Sequence, residues 1–376
     1  MVFSLGGKKE TVLVLDIGSG SVGGAIVQMD KVRKSKTKIL FSTRADMVYQ
    51  QQGDRDHAHD SMIRALERVV SALGEVSIGR VDKITCFLAA PWHVSQSRTS
   101  TMERKVSFTF SKRFVSAIID RETLAFQDAM HDTYQRHGDT VRVFEKRLTD
   151  VTLDGVSSIA PFGRKTLSVA LSLFVAGAPE HLLHRIEYTV NHSFRAPVIF
   201  NTFMSGAYMA VRSTLPAYED FFIVNVGGSM TDIGTSKKNI LHTTASLPLG
   251  MHAIVRSVAE KSGVTLHEAE SLISLTHKKV LTKKYIEHIL RIMKDASTTW
   301  SRGFKKYFPR SDSPQTVILF CDTKSSSVLV PILEDSVSLG TKIVPFVPEY
   351  MSGLIEAPLG HTDIFLSVEA SILPFI

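Results

Sequence analysis

At 376 residues with 44% hydrophobic side chains, the chain exceeds one ordinary core, and roughly 150 residues per domain implies two or three domains. Its net charge of +7 permits weak attraction to anionic surfaces, but the basic clusters Lys31 to Lys38, Lys278 to Lys284 and Arg302 to Arg310 are local and imply no specific nucleic-acid partner. The longest nearly uncharged run, Thr166 to Pro179, falls short of the roughly 20 apolar residues of a spanning helix, and Met1 to Glu10 lacks a signal-peptide core. Cys86 and Cys321 lie in apolar runs outside any metal-ligand spacing, so both read as reduced core residues of a cytoplasmic protein.

In chain order, Thr11–Ile17 is an apolar, β-branched strand followed by a Gly/Ser turn and a short strand, Ala25–Met29. A third strand covers Lys38–Thr43. Ile63, Leu66, Val69, Val70 and Leu73 recur at helical spacing, which predicts a helix over His59–Leu73 before a buried strand at Lys83–Ala89. From His93 the texture changes to a long polar stretch, a helix from near Asp120 to before Gly138, and an alternating strand, Thr140–Leu153, closed by an Asp154–Gly155 turn. An apolar strand, Thr166–Ala176, and a helix opening at Pro179 follow. The region reads as an inserted small domain, after which Ala196–Asn201 and the helix Thr202–Leu215 return to the first lobe.

A second lobe opens as the first does, with Phe221–Val226, a glycine turn, and strands at Asp232–Thr235 and Ile240–Leu247. Thr265 and Glu268 have capping-box spacing, predicting a helix from there to about His277. A longer helix over Thr282–Phe304, a strand at Thr316–Asp322, a helix at Val328–Val337, a strand at Lys342–Val347 and a closing helix near Thr362–Leu373 complete an alternating α/β lobe. The expected division is 1–92 for the first part of lobe one, 93–195 for the insert, 196–220 for the return, and 221–376 for lobe two.

The two lobe openings match: LVLDIGSGSVG at Leu13–Gly23 and FIVNVGGSMTD at Phe222–Asp232, with Asn225 following Asp16 by 209 residues. Glycines let backbone approach a ligand, and successive N–H groups in a tight turn form an anion-binding concavity that serine hydroxyls extend. Two such turns facing across a cleft would hold a triphosphate through Gly18, Ser19, Gly20 and Ser21 on one side and Gly227, Gly228 and Ser229 on the other. Asp16, at a strand end, would then reach the accompanying Mg²⁺ through water. Gly18, Gly20 and Gly23 also spell the dinucleotide fingerprint, but a strand follows where that motif requires a helix. Neither GK[ST] nor HExxH occurs, and the pairs His57/His59 and His181/His184 read as surface or core histidines.

DIGSGSV at Asp16–Val22, NVGGSMTDIG at Asn225–Gly234, LPLG at Leu247–Gly250 and AE at Ala269–Glu270 resemble the phosphate and connecting motifs of bacterial actin-like proteins, within them the FtsA/PilM group. Leu153–Ala176 is similar to the SHS2-type insert of FtsA, while the chain's start resembles PilM. The resemblance implies an actin-like two-lobed α/β fold with duplicated mixed-sheet domains and an inserted α+β domain. It implies an ATP- and Mg²⁺-binding scaffold at the cytoplasmic face of a membrane machine, with Thr231, Asp232, Gly250 and Glu270 added to the site. Partners would be a tubulin-like division protein or pilus membrane subunits, with self-polymerisation a further family property. Membrane contact would be indirect or through the short segment Val2–Leu5.

Three departures weaken the site. Asn225 stands where the second phosphate motif carries aspartate and offers an oxygen without charge. Ile273 replaces a lysine after Glu270, and DTKSSS at Asp322–Ser327 replaces a glycine-rich adenosine turn. These predict slow or no hydrolysis. A small-molecule, sugar-type kinase is the alternative; it needs a carboxylate base, and Asp232 suits the phosphate hairpin better.

Overall fold

The structure, a computed structural model, describes residues 9–30, 36–48, 55–77, 79–134, 139–307, 315–322, 325–337 and 340–376. Val2–Leu5, most of the basic cluster at Lys31, and Thr323–Lys324 therefore lie outside the described residues.

The first lobe is built on a six-stranded sheet whose central strand is β1 (Lys9–Ile17). Its neighbours are β2 (Ser21–Asp30), β3 (Thr37–Asp46), β4 (Lys83–Leu88), β9 (Val198–Thr202) and β15 (Ile355–Glu356), in the order β15-β3-β2-β1-β4-β9. Val12, Leu13, Val14 and Leu15 are all fully buried because both faces of the sheet are covered, which is why β1 reads as an unbroken apolar run rather than an alternation. Leu13, Leu15 and Ile17 pack with α1 (Arg55–Gly74) and α3 (Glu180–Phe194). Val12 and Val14 pack on the other side with α4 (Phe203–Thr214) and α9 (Ile364–Ile372).

The second lobe repeats the plan. Strands β10 (Phe221–Val226), β11 (Thr231–Lys237), β12 (Ile240–Leu247), β13 (Thr316–Phe320) and β14 (Lys342–Pro345) lie in the order β12-β11-β10-β13-β14, which matches β3-β2-β1-β4-β9 strand for strand. One face carries α5 (Met251–Ser262), α6 (Leu266–His277), α7 (Lys283–Tyr307) and α8 (Ser326–Glu334). The other meets α4 and α9, so Phe221, Ile223, Ile318 and Phe320 share one core with Val12 and Val14 of the first sheet. Each such fully buried side chain contributes about 2 kcal/mol, and this shared core fixes how the lobes face each other.

Between β4 and β9 the chain makes an antiparallel sheet, β5-β8-β6-β7, from β5 (Val94–Thr109), β6 (Val141–Leu153), β7 (Val156–Ser157) and β8 (Lys165–Pro179), with α2 (Lys112–Tyr134) on one face. The long polar stretch is thus a 16-residue edge strand, polar because much of it faces solvent. Helix α2 begins eight residues before the expected Asp120, since the Ser111 hydroxyl accepts the Phe114 N–H at 3.2 Å and starts the helix there. The Thr265–Glu268 capping box forms as expected. The insert is fastened to the first lobe by Glu145 of β6, whose carboxylate accepts both the N–H and the hydroxyl of Thr202 at 2.9 Å, at the start of α4. Among the described residues no helix is long and apolar enough to cross a membrane.

Candidate functional site

The two Gly/Ser turns are equivalent hairpins. Strands β1 and β2 pair Asp16 with Gly23 and Ile17 with Val22, leaving residues 18–21 as the turn, closed by the Gly18 N–H to the Ser21 carbonyl at 3.1 Å. Strands β10 and β11 pair Asn225 with Asp232 and Val226 with Thr231, leaving 227–230, closed by the Gly227 N–H to the Met230 carbonyl at 2.9 Å. Both emerge at the same end of their sheets and confront each other across the lobe junction.

They meet in direct contact. The Ser19 hydroxyl oxygen accepts the N–H groups of Ser229 and Met230, each at 3.2 Å, and the Ser229 hydroxyl donates to the Ser19 carbonyl at 3.2 Å. A Cβ on Gly20 would stand 2.8 Å from the Gly228 Cα, and one on Gly228 would stand 2.5 Å from the Gly20 Cα, so glycine is required at both. Gly250 has a similar duty: a Cβ there would lie 2.4 Å from the Gly228 carbonyl oxygen. That close approach lets the first N–H groups of α5, from Met251 and His252, donate to the carbonyls of Gly227 and Gly228 at 3.0 and 2.8 Å. Further polar groups around the hairpins are tied. The Trp92 indole donates to the Gly18 carbonyl at 2.6 Å, and the Thr231 hydroxyl to the Leu249 carbonyl at 2.6 Å. Asp232 accepts the Ala90 N–H at 3.0 Å and the Ser246 hydroxyl at 2.5 Å.

Beside the first hairpin lies a buried charge cluster that sequence reading missed. Arg44 of β3 lies across Gly23, donates to Asp16 at 2.7 Å, to the Ser21 hydroxyl at 2.9 Å, and to Asp363 at the N-cap of α9 at 2.7 Å. The Glu369 carboxyl, fully buried beside Asp16, meets no donor of hydrogen-bonding geometry. Burial pushes Glu369 well above the usual carboxylate range, with the neighbouring Asp16 charge adding to it, so it is held as the neutral acid. Asp16 is raised too, by burial first, against which Arg44 pulls down. For Asp363 burial is outweighed by the Arg44 guanidinium and the Leu366 N–H, and its carboxyl lies below the ordinary value. For Glu369 a sequence signal existed, one glutamate inside the apolar helix IFLSVEASI; the meeting of Arg44 with Gly23 depends on the β2–β3 register.

Other expected residues are placed apart. Glu270 sits exposed on α6, 4.0 Å from His267, and Ile273 is buried in the second-lobe core. A groove of about 530 Å³ runs between α6, α7 and α8, bordered by Ile273, Met293, Ser327 and Val328. The Asn225 Oδ1 is buried without a hydrogen-bond partner. His59 lies 5.6 Å from both Trp92 and His181 in ring-to-ring distance, and His181 contacts Asp139 at 2.9 Å. Cys86 and Cys321 are buried thiols; burial raises both, Cys321 to about 12. Among the described residues no group of three or more His, Cys, Asp or Glu could hold a metal ion.

A triphosphate between the hairpins would draw on the N–H groups of both turns, and its Mg²⁺ would sit near Asp16. Here the Ser229 and Met230 N–H groups are bonded to the Ser19 hydroxyl and Asp16 is paired with Arg44, so part of the polar set a phosphate and its metal would use is engaged by the protein itself.

No family model and no curated protein matches the sequence. Among solved structures, the PilM–PilN type IV pilus biogenesis complex contains a chain similar over 96% of this one and 95% of that one, with a TM-score of 0.60 and 11% identity. The ethanolamine utilization protein EutJ from Carboxydothermus hydrogenoformans is similar over 99% and 91%, with a TM-score of 0.44 and 10% identity. A ROK family glucokinase from Streptomyces griseus is similar over 89% and 94%, with a TM-score of 0.42 and 10% identity. At such identities the likeness shows the fold, which is actin-like, two-lobed and α/β.

Proposed function

We propose that this chain is an actin-like scaffold that engages a protein partner of a membrane-associated assembly, and that protein bonds, not a bound nucleotide, hold its lobes together. The observation that carries this reading is the Ser19 contact, which engages within the protein two N–H donors of the second hairpin that a phosphate could otherwise use. Asp16, paired with Arg44, is likewise committed. A scaffold needs its lobes in one fixed relation and no turnover, and the junction supplies that.

Within this reading the pilus branch is preferred to the division branch. A chain of the PilM–PilN type IV pilus biogenesis complex is similar to this one nearly end to end. The partner would then be a membrane subunit presenting a cytoplasmic segment, with the chain held at the inner face of the membrane through it. Nothing in the site favours the sugar-kinase alternative; Asp232, its one carboxylate candidate, is buried against the Ala90 N–H and the Ser246 hydroxyl beside the second hairpin. Cross-linked capture from the native host, identified by mass spectrometry, tests the assignment. Recovery of pilus membrane subunits is expected; recovery of a tubulin-like filament protein transfers the proposal to division, and robust multiple-turnover ATP hydrolysis by the pure chain contradicts the scaffold reading.

A further inference from the structure

We propose that the far end of the inserted domain is a docking surface for an anionic lipid bilayer. The proposal stands on different residues from the hairpin junction and does not rest on the scaffold reading.

Three chain segments meet at that end. The irregular stretch of β5 between Glu103 and Phe108, the β6–β7 hairpin, and the loop 158–164 all lie where β8 begins. They present Val106, Val156, Ile159 and Phe162 to solvent, with exposures of 76%, 69%, 105% and 50%, and the start of β8 adds Leu167 at 48%. Scattered exposed apolar residues need no explanation, but five on one domain tip do. The tip is well built: the Phe110 N–H donates to the Arg164 carbonyl at 2.8 Å, the Gly163 N–H to the Phe110 carbonyl at 2.9 Å, and the Ser158 N–H to the Val151 carbonyl at 2.8 Å. Ile159 and its neighbours are therefore held out into water by a hydrogen-bonded frame.

Charge identifies the occupant. Segments 103–113 and 154–167 carry Arg104, Lys105, Lys112, Arg113, Arg164 and Lys165 against two acids, Glu103 and Asp154. The Asp154 carboxylate accepts the N–H groups of Leu167 and Ser168 at 2.9 and 2.8 Å, which leaves the basic side chains in excess. Arg104 lies 4.7 Å over the Phe108 ring, an apolar stem with a charged head at the rim. Apolar side chains that project, ringed by basic ones, match the headgroup boundary of an anionic membrane, where the former insert and the latter stay with phosphate. A second copy of this chain, at net charge +7, supplies no evident counter-charge.

The test is co-sedimentation of the full chain with vesicles of phosphatidylserine and phosphatidylcholine, beside vesicles of phosphatidylcholine alone. Binding to the anionic vesicles, weakened by salt, is expected. The pair Lys105→Glu with Lys165→Glu, and separately Ile159→Asp, should each lower partitioning about tenfold or more with the melting temperature unchanged. These positions are exposed, so the variants fold. Absence of binding to anionic vesicles, equal binding to neutral ones, or binding that neither variant weakens overturns the proposal. So does tight binding to soluble polyglutamate without vesicle binding, which would assign the tip to an acidic protein.

Discussion

Gly20 and Gly228 lie back to back across the lobe junction, each so near the other's Cα that a methyl group on either would overlap it. The two turns that open the lobes are thus one packed unit. Gly228→Ala should wedge the hairpins apart and lower stability by about 1–3 kcal/mol, because its Cβ meets backbone and the His252 ring together. Gly353→Ala, where nothing lies within 4 Å, is the control and should be nearly neutral. Urea denaturation of the two variants measures the difference.

The Ser19 hydroxyl is the acceptor for two N–H groups of the opposite hairpin. Ser19→Ala leaves both without it and should cost about 1–3 kcal/mol. Amide hydrogen exchange gives the sharper readout: protection should fall at Ser229 and Met230 while the β10–β13 ladder stays protected.

Arg44 balances Asp16 and Asp363 with Glu369 neutral beside them. Removing the guanidinium leaves two carboxylates facing each other with no cation, and Arg44→Met should destabilise by about 3 kcal/mol, discounted for the arginine's partial exposure. Adding Asp16→Asn to that variant should recover part of the loss. Equilibrium unfolding of both single variants and the double variant forms the cycle that measures the coupling.

Two buried groups give opposite pH slopes. His252, packed on Gly228, is lowered to about 4, by burial first and then by Arg256. Its unfolded value is near 6.5, so the unfolded chain binds the extra proton as pH falls from 6.5 to 4, and stability drops in that window by roughly 3 kcal/mol. Glu369 is raised, so its contribution is complete below the unfolded carboxylate value near 4.5 and is lost as pH rises through its folded value. Melting curves across pH separate them: His252→Gln should flatten the acid side, and Glu369→Gln should raise stability at neutral pH.

Much of this was legible in the sequence where local pattern and tertiary role agree. The paired turns, the apolar β1 and β10 and the Thr265 capping box follow from periodicity and turn chemistry, and the actin-like layout from the resemblance of the phosphate and connecting motifs. What escaped depends on strand register and on distant chain. Arg44 is 28 residues from Asp16, and Asp363 is 319 residues from Arg44; their meeting is set by β3 pairing with β2 and by α9 returning to the first lobe. Strand β5 escaped because an edge strand buries too little to show an apolar run. The hairpins were placed face to face correctly in kind, but their contact could not be read from two glycine turns, since spacing along the chain says nothing of the gap between lobes.

The central claim is that the chain's own bonds close the junction where a phosphate would lie. Thermal unfolding in ATP and Mg²⁺ tests it most directly, because a ligand at 100 times its Kd adds about 2.7 kcal/mol to stability and shifts the melting temperature visibly. An unmoved melting temperature at millimolar ATP is the predicted result; a saturable rise with ATP concentration would contradict the account.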